Sequence, residues 1–471
     1  MTRYEALAQE IAQAISAGVL RPGDRLPTVR RTCASRGLSP STVFKAYYLL
    51  EARGLIRAAP RSGYFVNPPL PREPLPVPPA SQPRTDEQEV SINDLVYDIL
   101  SSVKSRRIVP LGSAFPSPEL FPLDDLRKAL VSSSRRLDPW STVDDLPPGN
   151  PALKRQILKR YLMQGLTVPP EDLVLTHGAM EGLNLCVQAV TRPGDAVVVE
   201  SPCFYAALQA LERLSLKCIK VSTSATEGID LNRLAEVLER RRPKACWLMT
   251  NFQNPLGASM PTDKKRELVA LLARHEVPLI EDDVYAELHH GSDAPPSAKS
   301  FDRHGLVMHC SSFSKCLAPG YRVGWIAAGR FAPCIERLKL MTTLSGSIPT
   351  QAALGEYLQT GGFDRHLRRL RLALKVQQEA LILAVSRHFP AGTQLTRPQG
   401  GYFVWVELPA TVDAMALHRE ALAAGISIAP GPMFSGDAAF RHCIRLNTGH
   451  PWTPRTEQAV VQLGRMAHEA L

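Results

Sequence analysis

Four short stretches of this 471-residue chain carry side chains whose types and spacing suit one kind of chemistry. In SSFSKCLAPGYRVGW (311–325), Lys315 follows an apolar run, with Ser312 before it and Arg322 after it. An amine, a hydroxyl and a guanidinium converging on one place suit a compound that carries both an aldehyde and a phosphate. The amine can condense with the aldehyde, and the other two can hold phosphate oxygens. In LVLTHGAMEGLNL a strand-like run ends at Thr176 and a helical pattern opens at Gly178. The N–H groups of Gly178 and Ala179, with the positive end of that helix behind them, then face an anion. EDDVY (281–285) ends a third run with Asp282 and Tyr285, and NFQNPLG (251–257) places Asn254 at the end of a fourth.

A second chemistry belongs to the first 66 residues. They hold Arg3, Arg21, Arg25, Arg30, Arg31, Arg36, Lys45, Arg53, Arg57 and Arg61 against Glu5, Glu10, Asp24 and Glu51, so +6 of the net charge of +10 sits there. Nucleic acid is the obvious anionic partner for such a concentration. Ser39, Ser41 and Thr42 open a helical pattern, where hydroxyls and free N–H groups can bind phosphate oxygens. Arg30 can fork onto a guanine edge.

Three regimes of sequence must position these groups. In residues 1–66, Tyr4, Leu7, Ile11 and Ile15 mark a first helix, with Gly18 as its stop. Thr28 caps a second helix over 29–35, ended by Gly37. Ser39 caps a third, with Pro40 at its first position, running to about Arg53. Two short helices joined by a tight turn fit a helix-turn-helix, and LIRAAPRSGYFV reads as a two-stranded wing. Residues 67–89 carry eight prolines from Pro68 to Pro83, then Asp86, Glu87 and Glu89. This segment reads as an extended linker that tethers two separate parts.

Folded sequence resumes at residue 90, where Ser91 and Asp94 read as a capping box and Ile92, Leu95, Ile99 and Val103 line one helical face. Beyond it, the apolar runs 173–176, 196–200, 245–250, 278–283, 305–311 and 324–328 alternate with helical patterns. That alternation predicts an α/β body with a mostly parallel sheet covered by helices on both faces. The Leu-rich pattern over 367–385 reads as core or solvated face, as do Met341, Met433 and the histidines.

Composition narrows the class further. Hydrophobic residues make up 44% and charged residues 21%, as in ordinary globular proteins. No apolar run is long enough to span a membrane, and the amphipathic start lacks the features of a secretory signal, so the expected location is cytoplasmic. The nine cysteines form no C-x-x-C pair, so neither a metal site nor a disulfide framework is indicated.

The motifs of the first regime, GVLRPGDRLPTVR, SPSTV, RGLIR and RSGYFV, resemble the winged-helix domain of the GntR family over residues 3–66. The resemblance implies DNA contacts by Arg30, Ser39, Ser41, Thr42, Lys45, Arg61 and Gly63. The chain departs from the family at Pro40 and Phe44, where some relatives carry basic residues, so the operator sequence does not follow from it.

The motifs of the third regime, in order G-A-x-E, SP-x-F, N-P-x-G, D-x-x-Y, S-x-SK-x-x-x-PG-x-R-x-G, GG-x-F-x-W and IRLN, resemble the fold-type-I, class-I aminotransferases over about residues 91–471. That family has a large domain and a smaller C-terminal α+β domain, and uses pyridoxal 5'-phosphate. The resemblance implies that Lys315 joins the cofactor's aldehyde as a Schiff base and shuttles the α-proton. Asp282 pairs with the ring nitrogen, and Tyr285 and Asn254 bond the ring's 3-oxygen. Gly178, Ala179, Met180, Ser312 and Arg322 hold the phosphate. Phe204 stands where the family stacks an aromatic on the ring, with Tyr205 beside it as the alternative. Arg445 clamps a substrate carboxylate. Lys154 departs from the family's usual residue without a clear consequence.

A GntR-like head fused to an aminotransferase-like body resembles the MocR-type regulators. The resemblance implies a homodimeric transcription regulator that binds double-stranded promoter DNA and whose body senses pyridoxal phosphate, an amino acid or an amine. Two alternatives stay open: an aminotransferase carrying an accessory DNA-binding head, and a regulator without the cofactor.

Overall fold

In a computed structural model, residues 2–59, 63–67, 75–101, 107–137, 139–140, 146 and 148–471 are described. The head comprises α1 (Arg3–Ser16), α2 (Val29–Arg36), α3 (Pro40–Ala52) and a wing of β1 (Ile56–Ala59) paired antiparallel with β2 (Gly63–Val66). Its helix starts follow local capping chemistry. The hydroxyls of Thr2, Thr28 and Ser39 each accept from a backbone N–H in the first turn, and Glu5 completes a capping box on α1. The α1 helix ends at Ser16 with Ala17 as its C-cap, and Gly18 follows at φ 72° as the expected stop. The core is built from Leu7, Leu26, Val43, Ala46, Tyr47, Leu50, Ile56 and Val66. Tyr47 Oη donates to the Pro27 carbonyl at 2.7 Å and lies 2.8 Å from Thr32 Oγ1, which fixes α2 against α3.

The body begins with α4 (Asn93–Ser101) and α5 (Leu123–Ser134), followed by α6 (Pro151–Met163), β3 (Leu173–Thr176), α7 (Ala179–Val190), β4 (Ala196–Ser201), α8 (Tyr205–Arg213) and β5 (Lys217–Ser224). Next come β6 (Gly228–Ile229), α9 (Leu231–Arg241), β7 (Ala245–Leu248), α10 (Thr262–Arg274), β8 (Leu279–Asp282), β9 (Val307–Ser312) and β10 (Gly324–Ala327). These strands form one sheet in the order β3-β10-β9-β8-β7-β4-β5-β6. The run from β9 to β5 is parallel, and β10 is antiparallel to both its neighbours. The central strands are buried on both faces, as a sheet covered by helices requires. Loops leaving the C-terminal ends of parallel strands are where such sheets place ligands. Asp282 ends β8, Ser312 ends β9 and Asn254 follows β7.

The remainder forms α11 (Ala332–Thr342), α12 (Ile348–Gln359), α13 (Gly362–His388), β11 (Gln394–Leu395), β12 (Phe403–Glu407), α14 (Ala414–Ala423), β13 (Ala429–Pro430), β14 (Cys443–Asn447) and α15 (Pro454–Glu469). A four-stranded antiparallel sheet ordered β11-β12-β14-β13 packs on α14 and α15 around its own apolar cluster, giving the smaller α+β domain.

Three expectations change. The capping box at Ser91 is absent: α4 begins at Asn93, and Glu212 of α8 accepts from Ile92 N at 2.6 Å and Asn93 N at 2.9 Å. A carboxylate already held on a neighbouring helix neutralises those N–H groups, so the local hydroxyl is not needed. Val103 lies outside the described residues.

The second change concerns the linker, whose described part, 75–89, lies on the body rather than free of it. The Leu395 N–H donates to Pro76 O at 3.0 Å, Ser81 Oγ donates to Ser201 O at 2.5 Å, and Gln88 bridges Cys218 of the sheet. Arg241–Asp86 and Lys217–Glu87 add ion pairs. A proline-rich strand keeps its carbonyls and hydroxyls available, and here the body's edge groups take them.

The third is α13, whose Leu-rich stretch does more than fill the core. Val376, 2% exposed, and Leu372 enter the head's apolar cluster, Lys375 pairs with Glu5 at 3.0 Å, and Glu379 pairs with Arg53 at 3.1 Å. Part-exposed ion pairs contribute ~0.5–1 kcal/mol each. Burying a valine contributes ~1.5–3 kcal/mol, so the apolar contact dominates the seat of the head.

Candidate functional site

The groups singled out around Lys315 come together where the two domains of the body meet. Lys315 Nζ donates to the Ala114 carbonyl at 2.9 Å and stands 4.0 Å from the centre of the Phe115 ring. Burial, with Arg445 and Arg322 nearby, pushes its pKa down to about 7, against the opposing pull of Asp282. Asp282 is 1% exposed. Burial, with the charge of Asp283 beside it, lifts its carboxyl to about 7, and its Oδ1 has no hydrogen-bond partner. Tyr285 is buried edge-on against Tyr402 and Phe403, its pKa raised by that burial.

Asn254 Oδ1 accepts from Arg445 Nη1 at 3.0 Å, while its Nδ2 is buried and unpartnered. Arg445 sits mid-strand on β14 opposite Trp405, 1% exposed, with its guanidinium 4.0 Å from the Phe403 ring. Its Nη2 donates to the carbonyls of Gly112 at 2.8 Å and Ser113 at 3.0 Å, and its Nε is unpartnered. Phe204 precedes α8 half-buried. Tyr205, buried, lies close enough to Arg445 and Tyr285 to feel both.

The anion cup forms at the start of α7. Gly178 precedes it with φ 77°, and no side chain caps the first turn, so the N–H groups of Ala179 and Met180 have no intrahelical partner. Arg322, itself at φ 51°, sends Nη2 to the His177 carbonyl at 3.0 Å and Nη1 to Ser314 Oγ at 3.3 Å. Glycine suits this position because its φ is left-handed, and a Cβ there would also lie 2.5 Å from Arg322 Nη2 and push the guanidinium aside. Ser312 is buried beside them, accepting from the Ser314 N–H at 3.3 Å.

Sequence reasoning missed four groups of this site: Ser314, Tyr402, and the Ala114 and Phe115 pair in the segment 112–116. Ser314 was in view between Ser312 and Lys315. Tyr402 was in view inside the GG-x-F-x-W motif, whereas Ala114 and Phe115 come from a stretch without polar spacing of its own, and only the fold brings them in. Elsewhere, Glu407, His442 and Cys443 bring ligand-type atoms within 4.8 Å of one another, but burial holds the Cys443 thiol protonated, which makes it a poor metal ligand.

On the head, Arg30, Ser39, Ser41 and Lys45 are exposed and Thr42 is half-exposed. The Ser39 hydroxyl is occupied by the helix start, 2.8 Å from Thr42 Oγ1. Gly63, at φ 105°, lies against the Arg25 side chain, which adds a basic group that the sequence motifs did not single out. Arg61 lies outside the described residues.

Comparison with known proteins decides the family. The model of the bacterial regulatory proteins of the gntR family matches residues 3–66, and that of aminotransferase class I and II matches residues 135–454. Over the full length of both chains the protein is 49% identical to the uncharacterized HTH-type transcriptional regulator YdcR of Escherichia coli. It belongs to the MocR-type, aminotransferase-bodied GntR regulators. The body of this MocR-type regulator is 29% identical to the 2-aminoadipate transaminase of Thermus thermophilus, over 79% of this chain and 92% of that one. It also superposes on Pyrococcus horikoshii kynurenine aminotransferase with a TM-score of 0.75 at 28% identity, covering 80% of this chain and 95% of that one.

The regulator is therefore a DNA-binding transcription regulator with an aminotransferase-like body, a body whose family uses pyridoxal phosphate. Its residues fit that compound. The unpartnered Asp282 Oδ1 suits the cofactor's ring N–H, the unpartnered Asn254 Nδ2 suits a ring oxygen, and the Gly178 cradle has open donors for a phosphate. Among the described residues no helix is long and apolar enough to cross a membrane.

Proposed function

We propose that this regulator couples the binding of pyridoxal phosphate and an amino acid or amine at Lys315 and Arg445 to the placement of its head on promoter DNA. When bound, the cofactor supplies an aldehyde for amines and an electron-withdrawing ring. The chain's own residues do the rest. Lys315, brought close to its pKa near neutral pH, presents an amine able both to condense and to carry a proton. Asp282 supplies the negative charge that keeps the ring nitrogen protonated. Arg445 offers a carboxylate the two hydrogen bonds it now gives to Gly112 and Ser113, so an arriving carboxylate exchanges with that segment.

One observation carries the coupling: α13 touches both sites. Near its start His366 Nε2 lies 2.7 Å from the carbonyl of Cys316, next to Lys315. Arg371 donates to the Glu287 carbonyl at 2.6 Å and pairs with its carboxylate at 3.0 Å, two residues beyond Tyr285. Further along, Val376, Glu379 and Leu383 carry the head. About 25 Å of helix separates His366 from Leu383 at 1.5 Å per residue. A shift at either loop moves a rigid element on which α3 rests. By linkage, a ligand changes DNA affinity only as far as it prefers one such arrangement.

The regulator acts in the cytoplasm as a homodimer. Exposed Leu123, Val131, Met341 and Leu344 on the body support a second copy as partner. The test is to titrate the cofactor-loaded protein with amino acids and amines while following visible absorbance and binding to the DNA upstream of its own gene. A compound that changes the spectrum but never the DNA affinity overturns the coupling.

A second reading, transamination, is favoured by the convergence of Lys315, Asp282, Asn254 and Arg445, which is what that reaction asks of a chain. Steady turnover of an amino-acid and keto-acid pair, with DNA affinity indifferent to both, would select it.

A further inference from the structure

The outer face of α3 holds a feature that the capping hydroxyls and Lys45 do not explain. Its inner face, Val43, Ala46, Tyr47, Leu49 and Leu50, is wholly buried. Its outer face carries Ser41, Phe44, Lys45 and Tyr48 at helical spacing, and Phe44 is 53% and Tyr48 45% exposed. Lys45, Arg25, Arg30, Arg31 and Arg57 are exposed on the same small head. The α3 helix is anchored at both ends, by Ser39 at its start and by the seat of Arg53 and Gly54 on α13. Phe44 is thus an apolar ring presented rigidly from the helix that a winged-helix head lays in the major groove.

A phenylalanine has no group with which to answer the donors and acceptors of a base edge. The one apolar group that base edges display in the major groove is the 5-methyl of thymine. The exposed cations of the head fit phosphates and make a protein or lipid occupant the poorer match. We propose that Phe44 reads a thymine through its 5-methyl group, with Tyr48, one turn further along, on the same side of the groove. This rests on the DNA-binding role of the head and specifies what that head reads.

The test uses the full cofactor-loaded chain. Its preferred duplex is selected from a random double-stranded pool, and each thymine is then replaced in turn by deoxyuridine, which removes only the methyl. The expected result is one thymine per half-site whose replacement weakens binding about fourfold, the worth of one buried methyl group. Phe44→Ala should lose affinity for the thymine duplex and become indifferent to the methyl at that position, with the visible absorbance of its cofactor unchanged. Phe44→Leu should keep part of the discrimination. Equal responses of wild type and Phe44→Ala to every replacement overturn the proposal while leaving DNA binding in place. Failure of the chain to enrich any duplex would overturn the DNA-binding role along with it.

Discussion

Arg53 Nε lies 3.1 Å from Glu379 Oε2, an ion pair that joins the end of α3 in the head to the long helix α13 of the body. Arg53 caps α3 and Glu379 lies eight residues beyond Arg371, so the pair stands between the DNA face and the loops beside Lys315.

Breaking that pair should weaken the coupling more than the binding of either ligand. Arg53→Glu is expected to cost ~1 kcal/mol of head docking and to shrink the change in DNA affinity that a ligand produces. The double variant Arg53→Glu, Glu379→Arg should restore most of it, and a double-mutant cycle on DNA affinity measures this. Equal ligand response in all four proteins would show that the head is not seated through this contact.

Cofactor uptake should rise with pH through neutrality. With its pKa near 7 rather than in the usual lysine range, Lys315 is mostly protonated at pH 6 and mostly a free amine at pH 8. Asp282, also near 7, ionises across the same window and so pushes in the same direction. The association rate, followed by absorbance, should increase at least about tenfold from pH 6 to 8 and then level off. A midpoint above pH 9 would mean that burial does not lower the Lys315 pKa.

Arg445→Ala should separate the two ligands. Two charged hydrogen bonds contribute ~2–3 kcal/mol or more to holding a carboxylate, so amino-acid affinity should fall about a hundredfold. The cofactor's visible absorbance should persist, because Lys315 and Asp282 remain. Spectral titration with an amino acid and with the matching amine checks this, and the amine should bind both proteins alike.

Glu200 gives a stability prediction. Burial, with Asp282 adding to it, lifts its carboxyl to about 8, while Oε2 accepts from the Met249 N–H at 2.8 Å. Because the folded value lies above the unfolded one, the native chain holds a proton that the unfolded chain releases between about pH 5 and 8. Stability from this group is therefore lost as pH rises across that window, by a sum on the order of 3 kcal/mol. Glu200→Gln keeps an acceptor for Met249 and should flatten the decline. Identical slopes of melting temperature against pH for both proteins would contradict it.

How legible all this was in the sequence depended on whether the cause was local. The caps at Thr28 and Ser39 and the run 173–176 follow from neighbouring residues, and they appear within a residue of where the pattern places them. The strand Lys217–Ser224 gave no apolar run, because lysines, serines and a threonine interrupt it, and only pairing with β4 reveals it. Most of the site motifs were readable because they pair a reactive group with a strand end, as at Asp282 and Ser312. The carbonyls of residues 112–114, which bond Arg445 and Lys315, carry no side-chain signal at all. The seat of the head on α13 was equally hidden, since a leucine-rich helix looks the same whether its partner is the core or another domain.

The central claim is that the Lys315 pocket and the DNA face of α3 bias one equilibrium, and its most direct test is reciprocity. The affinity of the cofactor-loaded protein for an effector amino acid is measured with and without saturating promoter DNA, and its affinity for that DNA with and without the amino acid. The account predicts that the two ratios are equal and differ from one, and that Lys315→Ala brings the DNA ratio to one. Ratios of one for every amino acid and amine that alters the cofactor spectrum would contradict it.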